Sequence, residues 1–122
     1  MIKKHVFSFK NAVTGIVWTF KTQSNIKIHL FLSVFSILAG IKLEISFLEF
    51  IIIFVLIGVG LAIETLNTAI EEAIDALHKD YSEQIKIAKD ASAAAMLIFA
   101  VTALFIAGLI FMPRIILLIT NI

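Results

Sequence analysis

Glu64, Asn67, Glu71 and Asp75 follow one another at intervals of three, four and four residues. On a helix advancing about 100° per residue, those intervals stack the four side chains on one narrow face about 16 Å long. Carboxylates gathered in this way can accept protons, and their hard oxygens can hold a cation such as Mg2+ that arrives with phosphates attached. Glu72 points about 80° away from Glu64 around the same helix and falls outside the row. Like charges on one face repel, so the row calls for an opposing cation. Lys79 can reach Asp75 at i+4, but nothing local answers Glu64 or Glu71. The later segment SEQIKIAKDASAAAM brings Lys86, Lys89 and Asp90. A lysine facing a carboxylate cluster is the arrangement needed to hold a nucleotide triphosphate and its metal.

The competing reading is a helix that extends into water and wears a solvated acidic face. Asn67 weighs against it, because a solvated face needs no carboxamide aligned with the carboxylates. The soluble phosphate-binding signatures are absent: glycines at 15, 40, 58, 60 and 108 form neither a Walker loop nor a GxGxxG match. The chain has no cysteine, which excludes disulfides and thiolate zinc sites. A formal charge of +1 gives no case for a nucleic-acid partner.

The elements that must position this row are set by composition. Of the 122 residues 61% are hydrophobic, and the mean hydropathy is +1.06. A soluble domain of this length could not hide so much apolar surface, so the bilayer is the solvent and the fold is an all-α integral membrane protein. The N-terminal stretch lacks the unbroken apolar core of a cleaved signal peptide. Ile2, Val6, Phe9, Val13, Ile16, Val17 and Phe20 recur at helical spacing, with lysines and polar residues between them. That pattern predicts an amphipathic helix over about 1–22 lying in the membrane interface. Three spans are expected after it, over about 26–43, 46–77 and 85–112, within a single domain covering 1–122. The fourteen apolar residues from Phe50 to Ile63 are too few to cross a bilayer alone, so the second span carries Glu49 or Glu64 at an interface. That places Glu64 near the membrane boundary. Eight lysines fall before span one or between spans two and three, against Lys42 and Arg114 on the other side. The active face and N-terminus are therefore expected in the cytoplasm, with the C-terminus outside the cell membrane. Pro113 is expected to kink or end the last helix.

These residues resemble a known family. ETLNTAIEEAID is similar to the E-x-x-N-[ST]-A-I-E-x-x-x-D signature of the prokaryotic diacylglycerol kinases, which include the undecaprenol kinases. KIAKDASAAAM resembles the family's A-K-D segment with the small residues that follow it, and FKTQSNIKIHL resembles the stretch before its first span. The resemblance runs from about Phe7 to Phe111. It implies a trimeric membrane lipid kinase with active sites at subunit interfaces, using ATP and Mg2+. By position in the motifs, Glu64 would be the general base and Asn67 would help position the reacting groups. Glu71 would bind Mg2+, and Lys89 and Asp90 would contact ATP. Asp80, Tyr81 and Ser82 align with another nucleotide-contacting stretch. Two positions depart from the pattern. Gln23 stands where many members carry a metal-binding glutamate, so it would ligate without charge and hold the metal more weakly. Asn11 stands where an aromatic residue near the nucleotide is common.

The reading is therefore a kinase that moves the γ-phosphoryl group of ATP to a membrane lipid alcohol, diacylglycerol giving phosphatidic acid. Undecaprenol is the alternative acceptor. A second alternative is a non-enzymatic subunit in which Glu64 and Glu71 line a cation path, though Phe50 to Ile63 offers no further ionisable group for one. A structural adaptor would need no aligned Glu-Asn-Glu set. Trp18 reads as an interface anchor. His29 reads as a polar contact rather than a ligand, since no second histidine sits at ligand spacing. Lys42, Glu44 and Glu49 read as a solvated outer loop.

Overall fold

In a computed structural model the chain is described over residues 2–78 and 80–120, with side chains from Phe7 onward. Lys79, and with it the expected contact to Asp75, lies outside the described residues. Among the described residues four helices follow one another: α1 (Ile2–Thr22), α2 (Ser24–Lys42), α3 (Phe47–Leu77) and α4 (Glu83–Thr120). The last three are each long and apolar enough to cross a membrane. The molecule is thus an all-α membrane protein with one further helix ahead of its spans. α3 is the central element, packed most extensively on α4 and next on α2. Most large apolar side chains of the spans are exposed, among them Phe31, Phe35, Phe54, Leu97 and Leu104. In a bilayer such side chains meet lipid at no cost, so this exposure is what the composition requires.

The small buried core, Ile45, Ile53 and Ile110 with Phe50 and Phe111 against it, lies at the end where α2 turns into α3. Three backbone bonds shape that turn: Leu43 to the Ala39 carbonyl at 2.8 Å, Glu44 to Ile41 at 3.3 Å, and Ile45 to Gly40 at 3.1 Å. Glu44 carries a φ of 50°, the left-handed residue of a Schellman motif that ends α2. The Ile45 side chain lies back over Gly40. A Cβ at Gly40 would stand 2.8 Å from Ile45 Cδ1, so a larger residue there would have to push that side chain aside. Ser46 then starts α3 with a capping box: its hydroxyl accepts from the Glu49 backbone, and the Glu49 carboxylate accepts from the Ser46 backbone.

One expectation changes here and another is narrowed. Glu49 is not part of a solvated loop. Arg114 Nη1 and Nη2 donate to its two carboxylate oxygens at 2.9 and 2.7 Å, forming a two-pronged bridge between α3 and α4. Both side chains keep only about a quarter of their surface exposed. Pro113 does not end α4, which continues to Thr120. A proline inside a helix removes one backbone donor but need not break a helix held by its neighbours. Arg114 Nη1 also donates to the Ile110 carbonyl at 2.8 Å, which ties the chain across that point. Arg114→Gln and Glu49→Gln are each expected to lower the thermal midpoint in detergent. The double variant should be no less stable than the worse single, because each single change strands the other partner. Simply additive losses would show that the bridge contributes nothing as a pair.

Candidate functional site

Membrane depth fixes where the acidic row lies. Starting at Phe47, about 20 helical residues cross the hydrocarbon and bring α3 out near Leu66. Glu64 is then just inside the boundary, and Asn67, Glu71 and Asp75 lie beyond it, on the part of α3 that overshoots the bilayer. α4 runs back along the same face.

Burial along the row is graded. Glu64 is 1% exposed and Asn67 8% exposed. Glu71 is half-buried, and the Asp75 side chain keeps 63% of its surface. The solvated-face reading therefore holds only at the far end. Asn67 Nδ2 donates to Glu71 Oε1 at 2.9 Å. From α4, Ser92 Oγ donates to Asn67 Oδ1 at 2.7 Å. The cation the row called for comes from the same helix: the Lys89 ammonium pairs with Asp75, fourteen residues away in sequence. Glu64 stays apart from this network. Its Oε2 is buried and meets no hydrogen-bond donor among the described residues. A carboxylate oxygen left so is costly unless a proton, cation or donor arrives.

The remaining candidates are placed differently. Gln23 occupies the break between α1 and α2 as the N-cap residue of α2, but its side chain makes no capping bond. Asn11 is exposed on α1. In the α3–α4 connection Asp80 is exposed and Tyr81 is 82% exposed, while Ser82 Oγ accepts from the Ile85 backbone at 3.2 Å and so starts α4. Asp90 is exposed beside Lys89. Among the described residues no hydrogen bond or ion pair joins Asn11, Gln23, Asp80, Tyr81 or Asp90 to the row. In the sequence Ser92 is one of the small residues that follow the A-K-D segment, set in an alanine run. A hydroxyl within that run was the one available trace of its bond to Asn67.

On the bilayer side of Glu64 an apolar groove of about 320 Å3 opens between α2, α3 and α4. Its α3 wall includes Ile53, Ile57 and Gly60, which lie within about 40° of Glu64 around the helix. Gly60 is one turn from Glu64, and a Cβ there would stand 2.6 Å from Phe99 Cε1, so the bare backbone lets the ring of α4 pack against α3. A Cβ at Gly58, by contrast, would meet only open space. His29 lines the groove beside Ser33. One α3 face thus carries an apolar wall, a buried carboxylate with an unmet oxygen, and a polar row reaching water.

Among the described residues no three His, Asp or Glu side chains converge on a metal position. Mg2+ that travels with nucleotide phosphates needs only one or two protein carboxylates. Glu71 fits that requirement, since Asn67 occupies one of its oxygens and the other meets no donor among the described residues. The unmet Oε2 of Glu64 adds a second hard oxygen on the same face.

Residues 10–111 match the family model for prokaryotic diacylglycerol kinase. The chain is similar to an undecaprenol kinase of Bacillus subtilis, 39% identical over 107 residues that cover 88% of this chain and 87% of that protein. It is also similar to a diacylglycerol kinase of Synechocystis sp., 34% identical over 107 residues, which cover 87% of this chain and 61% of that longer protein. An acidic row with an unmet buried carboxylate at the membrane boundary, and a match across most of the chain, lead to one assignment: the chain belongs to the prokaryotic diacylglycerol kinase family.

Proposed function

We propose that the protein is a membrane lipid kinase that transfers the γ-phosphoryl group of ATP to the hydroxyl of a lipid alcohol at the cytoplasmic face. The observation that carries this reading is the position of Glu64. It is buried, has an oxygen without a donor, and stands between an apolar groove and a row of carboxylates reaching water. A lipid alcohol entering from the bilayer would bring its hydroxyl to that oxygen. Glu64 takes the hydroxyl proton as the alcohol oxygen bonds to the γ-phosphorus, and the bond from that phosphorus to the β,γ-bridging oxygen breaks to release ADP. Asn67 and Glu71, held together at 2.9 Å, form the next turn of the site. Mg2+, held by Glu71 with Gln23 as the neutral second ligand, would neutralise phosphate charge. Lys89 and Asp90 would meet the nucleotide, with Asn11, Asp80, Tyr81 and Ser82 at its edge.

Diacylglycerol, giving phosphatidic acid, and undecaprenol are the two acceptors that the relatives' names bring to this chain. The undecaprenol kinase is the more identical of the two and the more fully covered. The row is partly open in one chain, with Glu71, Asp75 and Lys89 all reaching the surface, which supports a site completed between copies; that the copies number three is what the family resemblance implies. Purified protein in mild detergent, given γ-labelled ATP with each lipid separately, is expected to label one acceptor strongly and to show a mass of three chains. Failure to label either lipid would remove the kinase reading, and an active monomer would remove the trimer.

A further inference from the structure

We propose that Ser92 is a positioning residue of this site: its hydroxyl decides which way round the Asn67 carboxamide sits, and through it holds the Glu71 carboxylate. The proposal rests on the reading of Glu71 as a ligand of the Mg2+ that accompanies ATP.

Donors and acceptors decide the orientation of the carboxamide. An ionised Glu71 only accepts, so the Asn67 atom 2.9 Å from its Oε1 has to be the amide nitrogen. A planar carboxamide then turns Oδ1 the other way, toward α4, where Ser92 Oγ lies at 2.7 Å. Two oxygens facing each other at that distance need a proton between them, and Ser92 is the one that has it. The hydroxyl has a competing acceptor, the Lys89 carbonyl at 3.0 Å. Elsewhere in this chain hydroxyls satisfy themselves on their own helix in that way, as Ser33, Ser36, Thr65 and Thr102 do. Ser92 differs from these four in also reaching across to another helix.

Burial gives the bond its weight. Ser92 is 9% exposed and Asn67 8%, so water is poorly placed to replace either partner. Without the hydroxyl, Oδ1 of Asn67 would be buried and unmet. The carboxamide would then be free to swing or flip, and a flip would set its oxygen against the Glu71 carboxylate. Ser92 therefore links α4, which carries Lys89 and Asp90, to the face of α3 that carries Glu64 and Glu71.

Ser92→Ala separates this role from plain packing, because alanine is no larger and favours a helix. If Ser92 only lets the helices approach, Ser92→Ala leaves both activity and nucleotide binding unchanged. The expected result is at least a fivefold weaker binding of Mg2+ with a non-hydrolysable ATP analogue, measured by calorimetry, and a matching rise in KM for Mg2+-ATP. The KM for lipid should move less than twofold. In a Glu71→Gln background the glutamine side chain can donate or accept, so the same Ser92→Ala change should have a smaller effect than in the parent. Unchanged analogue binding in Ser92→Ala, with Glu71→Gln impaired, overturns the role of Ser92 alone. Full additivity of the two changes overturns it as well. Unchanged analogue binding in Glu71→Gln overturns the reading of Glu71, and the proposal falls with it.

Discussion

Glu64→Gln is expected to abolish phosphoryl transfer in a protein that still folds and still binds nucleotide. The substitution keeps the side-chain shape but removes the ability to take a proton. General-base catalysis contributes about 10²–10⁴-fold to a rate, so a loss of that size or more should follow. That corresponds to roughly 3–5 kcal/mol of transition-state stabilisation. Burial sharpens the expectation. Glu64 is 1% exposed, so a water-borne base has little access to replace it. The fold should tolerate the change, because the parent's Oε2 already makes no hydrogen bond that the amide could break. Turnover with labelled ATP measures the loss, and thermal unfolding in detergent checks the fold. Retention of more than a few per cent of parent turnover would remove Glu64 from the base role.

Much of this site is legible in the residues themselves. The i, i+3, i+7, i+11 spacing places Glu64, Asn67, Glu71 and Asp75 on one helix face, since local periodicity alone decides which side chains share a stripe. The short apolar run before Glu64 likewise sets it at the membrane boundary. Contacts between helices are a different matter. Nothing in the spacing tells whether Asp75 turns to Lys79 or to Lys89, or that Ser92 meets Asn67, because these pairs depend on how α4 lies against α3. Glu49 misleads for the same reason. Its neighbours in sequence describe a polar turn, while its partner Arg114 lies 65 residues away. At Pro113 the sequence leaves two outcomes open, a kink or an end, and the helix continuing on both sides removes the second. Glu64 is the clearest case of what only packing reveals: the sequence marks it as a carboxylate at a boundary, and burial leaves one of its oxygens without a donor.

Glu71→Gln is expected to weaken the response to Mg2+ by about a hundredfold while leaving lipid saturation nearly unchanged. Opposite unit charges about 4 Å apart interact by roughly 4 kcal/mol at an effective dielectric of 20, before desolvation is subtracted. If about two-thirds of that survives, the half-saturating Mg2+ concentration rises about a hundredfold, since each 1.4 kcal/mol is about tenfold. The neighbouring geometry should persist, because a glutamine oxygen can still accept from Asn67 Nδ2 as Glu71 Oε1 does at 2.9 Å. The effect would then report the lost charge and not a collapsed network. A Mg2+ titration at fixed ATP and lipid checks it, and poorer lipid saturation with an unaltered Mg2+ response would reverse the assignment. Gln23→Glu, added to Glu71→Gln, asks where the second ligand sits. Gln23 does not spend its side chain on capping α2. If it faces the same ion, a carboxylate there returns the missing charge and recovers at least part of the Mg2+ response. No recovery in that double variant, alongside a clear loss in Glu71→Gln, would leave Glu71 as the protein's own ligand and place Gln23 outside the metal site.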